Sequence, residues 1–179
     1  MSFSAPELEA QLLDRFPEWL ASLPSDTLLM AQELENVENS RALRVSLASG
    51  LNYLVKSLDL IDDGIESLGY LDDAMVLRLA LKNALGGIPE SLLGLRGDAA
   101  LLVEFLGPLT GRFESFVAGL ESLKVHGHSA LELLEDDALL QAFLTEIREF
   151  AQLYEPPRFP RDPSLLVKTH AFLDAKLPR

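Results

Sequence analysis

The 179-residue chain contains no cysteine. That excludes disulfides, thiolate metal sites and a cysteine nucleophile, and it suits a reducing compartment. Aromatic residues are sparse, at 7 % against 48 % apolar residues, and leucine is abundant, a balance that favours helix over strand. Positive charge is scarce too: 15 Lys and Arg face 28 Asp and Glu, for a net charge of -13, and the cations are scattered. A surface of that kind repels nucleic acid, and its charge disfavours association with a membrane surface. Long hydrophobic runs are missing. The longest stretch without a charged side chain, Val45 to Val55, falls far short of the roughly 20 residues of a spanning helix. The N-terminus, Met-Ser-Phe-Ser-Ala-Pro, has neither the basic nor the apolar region of a secretion signal. The expectation is a cytoplasmic protein.

What is present is helical periodicity. Leu8, Leu12, Leu13 and Phe16 form a stripe after Pro6, and Pro17 and Pro24 are expected to punctuate the turns that follow. Ser25 or Asp26 is placed to cap a helix toward Asn36. Leu43, Leu47, Leu51, Leu54 and Leu58 recur at the spacing of one buried face, predicting a helix from about Ser40 to Leu58. Ala74 to Leu85 reads as a central, almost wholly apolar helix broken only by Arg78 and Lys82. Asp98 is placed to cap a helix over Ala99 to Leu120, with a break at Gly107-Pro108. Lys124 to Ser129 reads as a loop and Asp136 to Tyr154 as an amphipathic helix. Residues 156–163 form a proline-rich, extended linker, and Asp162-Pro163 starts a last helix within 164–179 that packs on the bundle of residues 1–155. No segment alternates long enough to argue for a sheet. The predicted fold is an all-α, single-domain bundle of about seven or eight helices.

The most informative segment is Asp59-Leu-Ile-Asp-Asp-Gly-Ile-Glu-Ser-Leu-Gly-Tyr-Leu-Asp-Asp73, with six carboxylates in fifteen residues and no Lys or Arg. Its leucines and isoleucines need cover, while its acids need water, donors or a cation. Leu54 to Leu81, around this segment, resembles the YkvA-like family (domain of unknown function 1232). In that family a helix leads into Asp-x-Ile-Pro-Asp-x-Ile-Pro, then Gly-x-x-Asp-Asp, then an apolar helix. Asp59, Ile61, Asp63, Ile65, Gly69, Asp72 and Asp73 fall in register, and Asp62 and Glu66 stand where the family has proline. The resemblance implies no activity. Relatives that look membrane-associated have no counterpart in the charge pattern of this chain.

Two readings of the acids follow. In the first they cap: Asp62 or Asp63 starts a short helix through Leu68, Gly69 ends it in the left-handed conformation, and Asp72 caps the Ala74 helix with Asp73 at the positive end of its dipole. In the second, Asp59, Asp63, Asp72 and Asp73 converge on Mg2+ or Ca2+, which take several oxygen ligands at short range. Arg78 and Lys82 are expected to neutralise the acids across the turn. His126-Gly-His128 reads as an exposed turn, His170 as a helix-edge or core residue, and Trp19 as a packing anchor. No phosphate loop, nucleophile elbow or dinucleotide fingerprint appears, and no catalytic residue is assigned. The function expected is a non-catalytic interaction or scaffold module with a protein partner, the alternative being a cation-binding protein or metal-dependent enzyme.

Overall fold

The computed structural model describes residues 6–55, 59–85 and 87–179. These form α1 (Pro6–Glu35), α2 (Arg41–Leu54), α3 (Leu71–Asn83), α4 (Leu93–Leu106), α5 (Thr110–Gly119), α6 (Ala130–Leu133), α7 (Asp137–Leu153) and α8 (Pro163–Lys176). Short 3-10 turns at Glu90–Leu92, Gly107–Leu109 and Leu120–Ser122 join some of them. The all-α bundle expected from leucine periodicity is what forms, with no strand or sheet among the described residues. Nor is any described helix long and apolar enough to cross a membrane.

The expected breaks at Pro17 and Pro24 do not occur. Both prolines lie inside a continuous α1, whose stripe from Leu8 through Leu34 is buried. Proline in a helix leaves the carbonyl four residues earlier without its N–H partner. For Pro24 that carbonyl is Leu20 O, and the Tyr154 hydroxyl at the end of α7 donates to it at 2.9 Å. A tertiary hydrogen bond replaces the missing local one.

Helix α3 is the axis of the bundle. Every residue from Leu71 to Leu81 is buried, and it packs against α1, α2, α4 and α5. The approach of α2 is close because Gly50 presents no side chain: a Cβ there would lie 3.3 Å from both Ala80 Cβ and Leu77 Cδ2. Ser40 caps α2 by accepting from Leu43 N at 3.2 Å. The helix ends at Leu54, short of the predicted Leu58; residues 56–58 lie outside the described residues.

Further along, the predicted break at Gly107-Pro108 is present, with Gly107 at φ 51°. The predicted start at Asp98 is not, because α4 already begins at Leu93. Val125 and His128 exchange backbone hydrogen bonds of 2.8 and 2.9 Å around His126 and Gly127, both at positive φ. This is the tight turn that the loop reading anticipated. The short α6 that follows carries a capping box, Ser129 with Glu132. The proline-rich segment lies outside the helices, and Asp162 caps α8 as expected. Arg112 fastens the far end of α8 by donating to the carbonyls of Asp174, Leu177 and Pro178 at 2.9, 2.6 and 3.0 Å. One apolar cluster runs from Leu8 to Leu177.

Candidate functional site

The acidic segment folds into the joint between α2 and α3. Its apolar residues turn inward: Leu60, Ile61 and Leu68 are buried, and Ile65 is half-buried against the core. This drives the chain between Asp59 and Tyr70 into a series of turns, not the short helix that capping by Asp62 or Asp63 implied. Asp62 instead accepts from Gly64 N at 2.8 Å, closing an Asx turn. Nor is Gly69 the left-handed residue. Tyr70 is, at φ 64°, immediately before α3. Gly69 is required for space, since a Cβ there would sit 2.4 Å from the carbonyl oxygen of Asp63.

Asp72 also differs from its expected role. It does not cap α3, whose first turn lacks a side-chain cap at Tyr70. Its carboxylate is wholly buried and reaches back across the joint. One oxygen accepts from the Tyr53 hydroxyl at 2.5 Å, from Leu60 N at 2.9 Å and from Ile61 N at 3.1 Å. Leu60 N also lies 3.0 Å from the Tyr53 hydroxyl oxygen. The result is a latch from the end of α2 through the acidic turn to the start of α3. Three donors on one carboxylate oxygen offset the cost of burying the charge. Burial, followed by the charges of Asp72 and Asp73, pushes the Tyr53 phenol far up, so it stays protonated as the donor.

The other predicted residues cluster electrostatically around this latch. Asp73 is buried beside Asp72. Burial raises the Tyr70 phenol, and the charges of Asp63, Asp73 and Asp59 add to that shift. Asp63 lies at the surface of the joint, where crowding by the surrounding chain and then the charges of Asp59 and Asp72 push its carboxyl up to about 7. Tyr70 stacks edge-on with Tyr154 at 5.1 Å and packs against Phe150 at 5.9 Å, so the joint is roofed by the end of α7. Among the described residues no three His, Asp or Glu side chains are grouped to hold a metal ion, His126 and His128 included.

Arg78 does not neutralise the acidic joint; it faces the opposite way. Its guanidinium, 2 % exposed, donates to Asp26 at 3.2 Å, to Asp98 at 3.3 Å and to Ala74 O at 2.9 Å, and lies 4.4 Å above the Trp19 ring. Asp98 also takes Arg15 at 2.7 Å. A buried ionic tie thus joins α1, α3 and α4. Burial raises the Asp26 carboxyl, and Arg78 counters that shift. Lys82 likewise leaves the joint and pairs with Glu114 of α5 at 2.5 Å. Sequence reasoning missed this tie because its acids lie 52 residues before and 20 residues after Arg78. The signal in the sequence was a cation, Arg78, placed with Lys82 in an otherwise apolar run.

Sequence reasoning missed a second feature. Between α2, α3, α5 and α6 the surface opens into an apolar groove of about 500 Å³. Small side chains line its floor, Ser49 and Ala80 among them with Val117, and Ala42 and Ala118 stand on its flanks. Leu85, 74 % exposed, stands at the edge. The helix pattern marks such positions only as the weaker side of each amphipathic stripe.

Compared with family models, with curated proteins and with solved structures, the chain gives no match.

Proposed function

We propose that the chain is a non-catalytic interaction module that binds a protein partner through the groove between α2, α3, α5 and α6. The observation that carries this reading is an apolar recess of about 500 Å³ edged by a leucine that the fold leaves 74 % exposed. Apolar side chains left open to water in such a recess gain free energy when a partner's apolar surface covers them. Three residues of the acidic joint, by contrast, have roles in the fold: Asp72 holds the latch, Asp62 closes a turn and Gly69 clears the backbone. The YkvA-like resemblance of residues 54–81 implies no chemistry and stays a proposal.

The test is a photo-crosslinking residue placed at Ala118, on the groove, with a control at the exposed Glu149 of α7, in cells that make the protein. A discrete adduct with one protein from Ala118 and not from Glu149 supports the reading. No protein adduct from Ala118 would sink it. Calorimetric uptake of Mg2+, Ca2+ or Mn2+, with a Tm that EDTA lowers, would put the cation reading of Asp59, Asp63, Asp72 and Asp73 in its place.

A further inference from the structure

We infer that the occupant of the groove is a basic amphipathic helix: its apolar face enters between α2 and α5, and a lysine or arginine on its flank meets Glu121. This rests on the interaction reading above and adds the chemistry of the partner.

Three observations lead there. First, the groove is built for a helix. Ser49, Ala80 and Ala118 project too little to block close approach, while Leu85, Val45 and Leu131 supply apolar contact at the edges. A groove of small floor residues between helices takes anchors spaced i, i+3 or i+4 and i+7 from an incoming helix. Second, the charges around it are unevenly matched. Arg41, the one cation among the described residues that line the groove, is already paired with Glu135 at 3.3 Å. Lys82 and Lys124 nearby in the chain carry Glu114 and Glu132. Glu121 lines the groove, is exposed, and has no ion pair among the described residues. Third, the whole chain carries a net charge of -13, so its field draws a cationic partner and repels an anionic one. That field also disfavours a second copy of this chain as the occupant, because both copies bring the same excess of acid to the contact.

The experiment uses the full chain and three labelled peptides of about 18 residues, roughly 27 Å of helix. One is a Leu/Lys amphipathic helix, one a Leu/Glu helix with the same apolar face, and one a scrambled Leu/Lys peptide that has no apolar face. Fluorescence anisotropy at fixed ionic strength reads the affinities. The expected result is that the basic helix binds at least tenfold more tightly than either of the others. Ala118→Arg, which puts bulk and positive charge on the exposed flank of the groove, should abolish that binding, and Ala42→Arg on the opposite flank should do the same. Both sites are exposed, and an unchanged melting curve confirms that each variant folds. Glu121→Lys should weaken the basic helix about tenfold and flatten its salt dependence.

Equal binding of the scrambled peptide, or binding that survives both arginine variants, would overturn the inference by showing charge attraction without the groove. Preference for the acidic helix would overturn it as well. So would uptake of a neutral apolar dye that Ala118→Arg blocks, with no helix bound, since the groove would then be a small-ligand pocket. A crosslink at Ala118 in cells with no basic helix bound in vitro leaves the interaction reading standing and removes only this one. Loss of both removes both.

Discussion

At the scale of single residues, the burial of Asp72 is the most consequential fact about the acidic segment. A carboxylate that accepts from Tyr53, Leu60 and Ile61 cannot be replaced by a methyl group without taking one shared acceptor from three buried donors, Leu60 N alone keeping the Tyr53 oxygen at 3.0 Å among the contacts described above. Asp72→Ala should therefore cost about 4 kcal/mol of folding stability, as expected when one partner of a buried charge-assisted set is removed. Tyr53→Phe removes one of the three donors, and should cost about 2 kcal/mol. Urea denaturation of the two variants checks both figures; equal and small losses would show that the latch is incidental. Gly69 is a second point of rigidity. The carbonyl of Asp63 occupies the space of its missing Cβ at 2.4 Å. Gly69→Ala should destabilise by about 3 kcal/mol through forced backbone displacement, well beyond any gain from reduced chain entropy. Thermal melting would detect it.

At the scale of elements, α1 teaches the most. Two prolines within a 30-residue helix would each cost roughly 3 kcal/mol in isolation. The hydroxyl of Tyr154 reduces the loss at one of them by serving Leu20 O. A double-mutant cycle follows from this. Tyr154→Phe should cost about 1 kcal/mol in the parent chain, and clearly less in a Pro24→Ala background, where the alanine N–H again reaches Leu20 O. Additive losses would mean that Pro24 and Tyr154 do not share that carbonyl. The same contact ties the end of α7 to Leu20, while Arg148 reaches Glu35 at the far end of α1, and Phe150 and Tyr154 lie over Tyr70. Element packing and the roof of the acidic joint are thus one arrangement.

At the scale of the whole molecule, charge governs stability as a function of pH. The Asp63 carboxyl is raised to about 7 by crowding and by Asp59 and Asp72, and Asp26 is raised by burial. A folded-state value above the unfolded one means that the folded chain keeps a proton the unfolded chain has released. Stability from this source is complete below about 4, the unfolded value, and is lost as pH rises toward 7. Glu132 acts in the opposite direction: Lys124 holds its carboxyl down to about 2, a contribution lost only below about 4. The chain should melt at a higher temperature near pH 5 than near pH 8. Asp63→Asn should flatten that slope, and the pH dependence of Tm measures it. Solvent screening at the exposed Asp63 keeps the effect modest.

Much of this molecule was readable in the order of its residues, for identifiable physical reasons. Leucine spacing dictated the helices, Asp136 and Asp162 announced the starts of α7 and α8, and Gly107-Pro108 announced the break between α4 and α5. These are local effects, set by neighbours within one or two turns. The Ser129-Glu132 capping box was equally local and open to the same reading. By contrast, the partners of Asp72 lie 19, 12 and 11 residues away, the acidic partners of Arg78 lie 52 and 20 away, and Tyr154 reaches Leu20 across 134. A carboxylate near a helix start looks the same in sequence whether it caps its own helix or holds a neighbouring turn. The chain order by itself determined the all-α class, the acidic surface and the inward turn of the joint, because hydrophobic period and charge count are properties of sequence. Only the tertiary structure decided which buried charge meets which donor and where an apolar groove stays open, because both depend on how distant helices are brought together.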